Sequence, residues 1–257
     1  MTSGKPYVLC VVPARFASTR FPGKLIVPLA GKPLVMHAYE RAQRATLVDE
    51  TLIAADDPAI AEAVAPYGAC LVMTRPDHPS GTDRIAEVAE GHPAEIIVNV
   101  QGDEALIDPA TVDAAVRALL DHPEAVMSTA RHRITDPALI ADPNAVKVVC
   151  DAAGRALYFS RSPIPHIRDA ADREAGNTCY WQHVGLYVYR REFLLRYAKM
   201  PQTPLEKLEK LEQLRVLESG FDIVVVDTEY RGIGVDTPAD LERVRAILEK
   251  PTEEASS

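Results

Sequence analysis

The acidic pair Asp103-Glu104 ends the run Glu95-Ile96-Ile97-Val98-Asn99-Val100-Gln101-Gly102. Three consecutive β-branched residues, 96–98, suit a strand buried on both faces, as in the middle of a parallel sheet. Gly102 permits a tight turn or the close approach of a ligand. The two carboxylates thus follow the carboxyl end of a central strand, the edge at which open α/β sheets bind ligands. Taken alone, such a turn reads as the end of a strand and nothing more. The loop over residues 13–24 adds chemistry: it holds Arg15, Arg20 and Lys24, interleaved with Ser18, Thr19 and Gly23, directly after the first strand. Arg offers a planar fork for phosphate and Lys a mobile point charge. A solvated basic loop is the plain alternative, but three cations at this place in a chain of net charge −9 point to polyphosphate binding. The loop is neither GxxxxGK[ST] nor GxGxxG, which removes the P-loop and the dinucleotide fingerprint.

Further candidates are spread along the chain. Asp236 precedes Thr237-Pro238, and Thr237 suffices to cap the helix that follows, leaving Asp236 available. Asp103 and Asp236 suit a hard divalent cation: Mg²⁺ takes one or two carboxylates and lets substrate phosphates and water complete its shell. The loop from Thr74 to Arg84 ends in Ser80 and Thr82, either of which can cap a helix whose free N–H groups also receive anions. His183 and Tyr187 have the alternating spacing that places both on one face of a strand. Glu206, Glu209 and Glu212 read as the solvated side of their helix. Cys10, Cys70 and Cys150 lie in apolar runs and read as small buried hydrophobes, and with Cys179 they show no disulfide or zinc spacing.

The elements that must position these groups alternate. Strands are expected over residues 7–12, 51–55, 69–73 and 96–100, with helices over 33–45, 58–65, 82–90 and 109–120; Pro33 is placed in a first helical turn, and Asp108 caps the last of these helices. This order reads as a doubly wound, mostly parallel sheet. Residues 125–200 carry more strand signal and longer loops, and read as a smaller β-containing lobe of one domain spanning 1–250. The box Thr203-Pro204-Leu205-Glu206 opens a helix expected to run to about Glu218, with Leu205, Leu208, Leu211 and Leu214 as its apolar stripe. A strand over 221–226 and a helix over 238–249 follow, and residues 251–257 read as a disordered tail. With 257 residues, 47% of them hydrophobic, a full core is available. The acidic balance argues against nucleic acid as a partner, and no apolar run is long enough to span a membrane. No signal peptide is expected at the start of the chain.

Taken in order, residues 13–24, 77–84, 99–104, Asn144-Ala145-Val146-Lys147-Val148-Val149, Tyr158-Phe159-Ser160-Arg161, His183-Val184-Gly185-Leu186-Tyr187, Leu211-Glu212-Gln213-Leu214-Arg215 and Gly234-Val235-Asp236-Thr237-Pro238 resemble the 3-deoxy-manno-octulosonate (Kdo) cytidylyltransferase family, the CMP-Kdo synthetases. The match runs from about Tyr7 to Leu248, with Ala105 standing where Pro is expected and Phe16 where Tyr is common. The resemblance implies a nucleotidyltransferase (Rossmann-like) α/β fold. It also implies transfer of CMP from CTP to the anomeric hydroxyl of Kdo with release of pyrophosphate, for lipopolysaccharide assembly. A cytoplasmic, Mg²⁺-dependent homodimer is implied, with 125–200 as its acceptor-binding and dimerisation lobe. Carried over by motif, Ala14, Arg15, Lys24, Thr74, Arg75, Ser80 and Gln101 would contact CTP, and Asp103 and Asp236 would hold Mg²⁺. Arg15, Lys24, Asp103 and Asp236 would carry the reaction. Arg20, Gln101, Arg161, His183, Tyr187, Glu212 and Gln213 would surround the sugar acid, with Arg161 facing its carboxylate. Sister enzymes for an 8-amino Kdo or a sialic acid, and a non-catalytic nucleotide-binding module, are the alternatives.

Overall fold

The computed structural model describes residues 4–17, 21–169 and 180–249. Ser18, Thr19, Arg20, Cys179, most of the polar loop over 167–179 and the tail over 251–257 lie outside them. The first half alternates as expected: β1 (Val8–Ala14), a two-residue hairpin pair β2 (Pro28–Leu29) and β3 (Lys32–Pro33), α1 (Leu34–Ala42), β4 (Glu50–Ala55), α2 (Pro58–Val64), β5 (Leu71–Met73), α3 (Gly81–Glu90), β6 (Ile96–Val100) and α4 (Pro109–Asp121). Then follow β7 (Met127–Arg133), α5 (Ala138–Ala141), β8 (Lys147–Cys150), β9 (Ala156–Ser160), β10 (Trp181–Arg190), α6 (Arg191–Tyr197), α7 (Pro204–Glu209), α8 (Gln213–Glu218), β11 (Ile223–Asp227) and α9 (Pro238–Leu248).

The main sheet runs β11-β7-β10-β6-β1-β4-β5. Strands β6, β1, β4 and β5 are mutually parallel, β7 and β11 are parallel to each other, and β10 runs antiparallel to β6 and β7 between them. The loops after β1, β4, β5, β6 and β11 therefore all emerge at one edge. Every residue of β1 is buried. Its alternation feeds both faces: Val8, Cys10 and Val12 pack in one apolar cluster, and Leu9 and Val11 in the other. That two-sided burial is why the strand reads as a continuous apolar run. Residues 125–200 contribute β7 and β10 to this sheet, while β8 and β9 form a flanking hairpin that meets β10 at Gln182↔Lys147. Among the described residues no helix is long and apolar enough to cross a membrane.

Five expectations are corrected. Pro33 is the residue before α1, paired with Pro28 in β3, so its ring starts no helical turn. The helix expected over 203–218 is two helices, because Lys210 adopts a left-handed backbone at φ 54°. The Arg161 guanidinium braces that break, donating to Glu209 O at 2.6 Å, Pro143 O at 2.9 Å and Lys210 O at 3.3 Å. The break rotates the leucine stripe: Leu211 and Leu214 are buried, but Leu208 is 80% exposed. It also turns the glutamates inward. Glu206 is buried against Arg215, Glu209 accepts from Ser160 Oγ at 2.7 Å, and Glu212 accepts from Thr82 Oγ1 at 2.6 Å. Finally, Cys10 is buried but Cys70 is exposed, at the approach to the edge strand β5.

Candidate active site

Lys24 stands at the centre of the shared edge. Its Nζ lies 2.6 Å from Asp103 Oδ2 and 2.9 Å from Asp236 Oδ1, and the residue is only 9% exposed. Burial works against the ammonium, but the two carboxylates outweigh it and hold its pKa above the usual lysine value. The main chain fixes the carboxylates relative to each other, since the Val235 N–H donates to Asp103 O at 3.2 Å. Glu104 lies behind them. Burial pushes its carboxyl up to about 7, opposed by the Tyr230 hydroxyl at 2.7 Å and reinforced by Asp103 and Asp236. Gly102 is required here for space. A Cβ on it would sit 3.0 Å from Pro13 O and 3.3 Å from Leu25 Cδ1. Gly102→Ala is therefore expected to cost about 1–3 kcal/mol of stability, because the clashing oxygen belongs to the buried backbone of β1. Thermal unfolding measures it, and an unchanged midpoint would show that β1 yields.

The expected nucleotide residues gather on the same edge. Ala14 ends β1 and is buried. Arg15 reaches across to Pro79 O at 3.4 Å, and its Nε is buried without a hydrogen-bond partner among the described residues. Ser80 caps α3, accepting from the Asp83 N–H at 3.2 Å. Arg75 is exposed, 3.7 Å from Asp77 and 3.9 Å from Glu87. Gln101 donates to the buried Asn99 Oδ1 at 3.0 Å. The Thr74 hydroxyl is turned inward: it donates to Ala55 O at 2.9 Å and accepts from Arg84.

Beside Asp236 opens a cleft of about 790 Å³. Of the expected acceptor residues, His183, Tyr187 and Gln213 line it. The β10–β7 ladder steps from Val184↔Ala130 to Tyr187↔Thr129, an offset that preserves the alternation of faces. His183 and Tyr187 therefore share a face, with ring centroids 5.3 Å apart. The Tyr187 hydroxyl donates to Gln213 Oε1 at 3.3 Å, and the Gln213 Nε2 donor is buried without a partner among the described residues. Gln101, Arg161 and Glu212 are not among the lining residues. Three of the five N–H donors of Arg161 are committed to main-chain carbonyls, and Glu212 faces Thr82. Arg20 lies outside the described residues.

Burial pushes the His183 imidazole down to about 3. Thr129 Oγ1 spends its proton on Leu186 O at 2.6 Å, so at 2.9 Å His183 is the donor, as a neutral Nε2–H tautomer. Such a depressed histidine contributes stability above its unfolded pKa near 6.5, and that stability is lost as pH falls below it. Between pH ~6.5 and the folded value of about 3, the stability difference between wild type and His183→Gln is expected to shrink by about 1.4 kcal/mol per pH unit as pH falls. Denaturant unfolding at several pH values measures this, and a pH-independent difference would place the proton elsewhere.

Arg133, Arg231 and Arg243 also line the cleft, and sequence reasoning assigned them nothing. The available signal was Gly232-Ile233-Gly234 just before Asp236. A Cβ on Gly232 would lie 3.1 Å from Glu104 Oε2, so that glycine lets the segment pack against the acidic turn. The chemistry of the donors fits a hard divalent cation. Two carboxylates converge on one point, and the Lys24 ammonium there already supplies the positive charge they require. Among the described residues no cluster of three or more acidic, His or Cys side chains forms a closed cage. An ion at Asp103 and Asp236 would therefore draw its remaining ligands from water and substrate, as Mg²⁺ does.

Comparison with known proteins gives the family. The profile of the family described as Cytidylyltransferase matches residues 9–223. A 3-deoxy-manno-octulosonate cytidylyltransferase of Solibacter usitatus is 56% identical over 241 residues, 94% of each chain. One from Geobacter sulfurreducens is 54% identical over 92% of this chain and 97% of its own. The structure of a CMP:2-keto-3-deoxy-manno-octonic acid synthetase complexed with CTP superposes with a TM-score of 0.88 at 42% identity, covering 94% of this chain and 98% of that one. The chain, with its Lys24–Asp103–Asp236 cluster at the parallel-strand edge, belongs to the cytidylyltransferase family and, within it, to the 3-deoxy-manno-octulosonate cytidylyltransferases.

Proposed function

We propose that the protein transfers CMP from CTP to the anomeric hydroxyl of Kdo, releasing pyrophosphate and forming CMP-Kdo for lipopolysaccharide assembly. The observation that carries this is the convergence of Lys24, Asp103 and Asp236 between the edge bearing Arg15 and Ser80 and the cleft bearing His183, Tyr187 and Gln213. In the reaction, the anomeric hydroxyl gives up its proton to solvent as its oxygen attacks the α-phosphorus, and the bond from that phosphorus to the bridging oxygen breaks with its electron pair leaving on pyrophosphate. Both reactants carry negative charge, so positioning and charge neutralisation supply most of the rate. Arg15 and Lys24 stabilise charge on the α-phosphate and the departing pyrophosphate. Gln213 offers an unspent amide donor to the acid, and neutral His183 and Tyr187 shape the wall beside it. Mg²⁺ at Asp103 and Asp236 would lower the pKa of the attacking hydroxyl and offset phosphate charge. Homodimeric assembly and a cytoplasmic location belong to the same reading and rest on the family resemblance.

The deciding experiment is pyrophosphate release with CTP, Kdo and Mg²⁺, against each single omission and against other nucleotides and sugar acids. Release that requires all three components, with CTP and Kdo preferred, is the expected result. Release with another acid in place of Kdo would move the substrate assignment to a sister enzyme. Folded protein that binds CTP and releases nothing with any acid would overturn the enzymatic reading.

A further inference from the structure

Arg84, on α3, is fully buried and ionic. The neighbouring buried positions of that helix, Ile85, Ala86, Val88 and Ala89, are apolar. A buried ion pair is weak evidence for stability, since a well-packed apolar pair often serves as well. Its geometry here is specific. Arg84 Nη2 donates to Asp56 Oδ2 at 3.0 Å, and Nη1 donates to Thr74 Oγ1 and to Arg75 O at 3.2 Å. The other oxygen of Asp56, Oδ1, accepts from the Phe16 N–H at 2.8 Å. Asp56 directly follows β4, Phe16 follows Arg15 after β1, and Thr74 follows β5. One guanidinium and one carboxylate thus tie together three loops at the sheet edge and the helix whose cap is Ser80. The Arg84 side chain is 0% exposed and that of Asp56 9%, so neither is placed to meet a ligand. Burial disfavours the charge on Arg84, Asp56 supports it, and Arg15 opposes it again. Asp56 is the partner that keeps this cation in place next to Arg15.

We propose that Asp56 and Arg84 are positioning residues of the nucleotide subsite, setting where Arg15, Arg75 and Ser80 stand without touching the nucleotide. This rests on the nucleotide-binding reading above. Asp56→Asn keeps the side-chain shape and an oxygen for the Phe16 N–H, but turns an amide toward Arg84. Arg84→Lys keeps the charge and loses the fork. Both are expected to weaken CTP binding about tenfold or more, measured by calorimetry with Mg²⁺ present. The KM for CTP should rise in parallel while the KM for the sugar acid stays unchanged. Ser128→Ala is the control: it deletes the buried hydrogen bond to Ala115 O on the other side of the sheet, and should lower the melting temperature with CTP affinity intact. If Asp56→Asn lowers the melting temperature as Ser128→Ala does but binds CTP like wild type, the pair is merely structural and the inference falls. Should Arg84→Lys fail to fold, Asp56→Asn decides alone. Wild-type protein that does not bind CTP would overturn the nucleotide reading and this inference together.

Discussion

Asp103→Asn is expected to slow pyrophosphate release by about 10²–10³-fold at saturating CTP and acid. The substitution keeps size and shape and removes the charge. Lys24 retains Asp236 at 2.9 Å, so its buried ammonium is not left alone and the fold should survive. The loss should therefore appear in turnover, with little change in thermal unfolding. It should also shift the Mg²⁺ dependence to higher concentration, because one of two proposed carboxylate ligands has become a neutral amide. A coupled pyrophosphate assay across a Mg²⁺ series reads both effects. Near-normal turnover with an unchanged Mg²⁺ profile would remove Asp103 from both roles.

The largest loss of stability is expected from Glu206→Ala. Glu206 is 3% exposed, and its oxygens accept from Arg215 Nε at 2.8 Å and Nη2 at 2.5 Å. It also accepts from the Thr203 N–H at 3.2 Å, closing the start of α7. The Arg215 guanidinium stacks 4.4 Å above the Tyr197 ring and donates to two further carbonyls, so it stays buried after the carboxylate is removed. Stranding a buried cation in this way costs about 3–5 kcal/mol. In a chain of this size that lowers the melting temperature by about 2–4 °C per kcal/mol. The double variant Glu206→Leu/Arg215→Met should recover most of the loss, because it removes both charges and fills the space with apolar atoms. Denaturant unfolding of the single and double variants tests this. A double variant as unstable as the single one would locate the cost in the helix start instead of the stranded charge.

Glu206 also marks where sequence reading failed. Its spacing with Glu209 and Glu212 suggests a solvated helix face, a reading that assumes one unbroken helix. Lys210 interrupts that helix in a left-handed conformation stabilised by Arg161, which lies far earlier in the chain. No local pattern encodes such a brace. The same brace takes Arg161 toward main-chain carbonyls, although its motif position suggested the acid's carboxylate. Leu208 fails for the same reason: 3.6-residue periodicity predicts a face only while the helix continues. The strands were easier. β1 and β6 are buried on both faces, so their apolar runs carry the signal residue by residue, and Asp103 then falls at the edge that parallel topology reserves for ligands.

The sequence by itself determined the alternating α/β order, the basic loop after the first strand, the acidic turn after the central one and, through motif resemblance, the family. These are properties of contiguous residues, and burial leaves its imprint on contiguous residues as periodicity and composition. Only the tertiary structure decided that Lys24 bridges Asp103 and Asp236, that Glu206 is buried and Glu212 turned toward Thr82, and that Arg84 and Asp56 join three loops. Each of these depends on which strands lie side by side, and on the desolvation that raises the cost of an unpartnered charge. Strand order and desolvation arise from contacts between distant segments, so they exist only once the sheet has assembled.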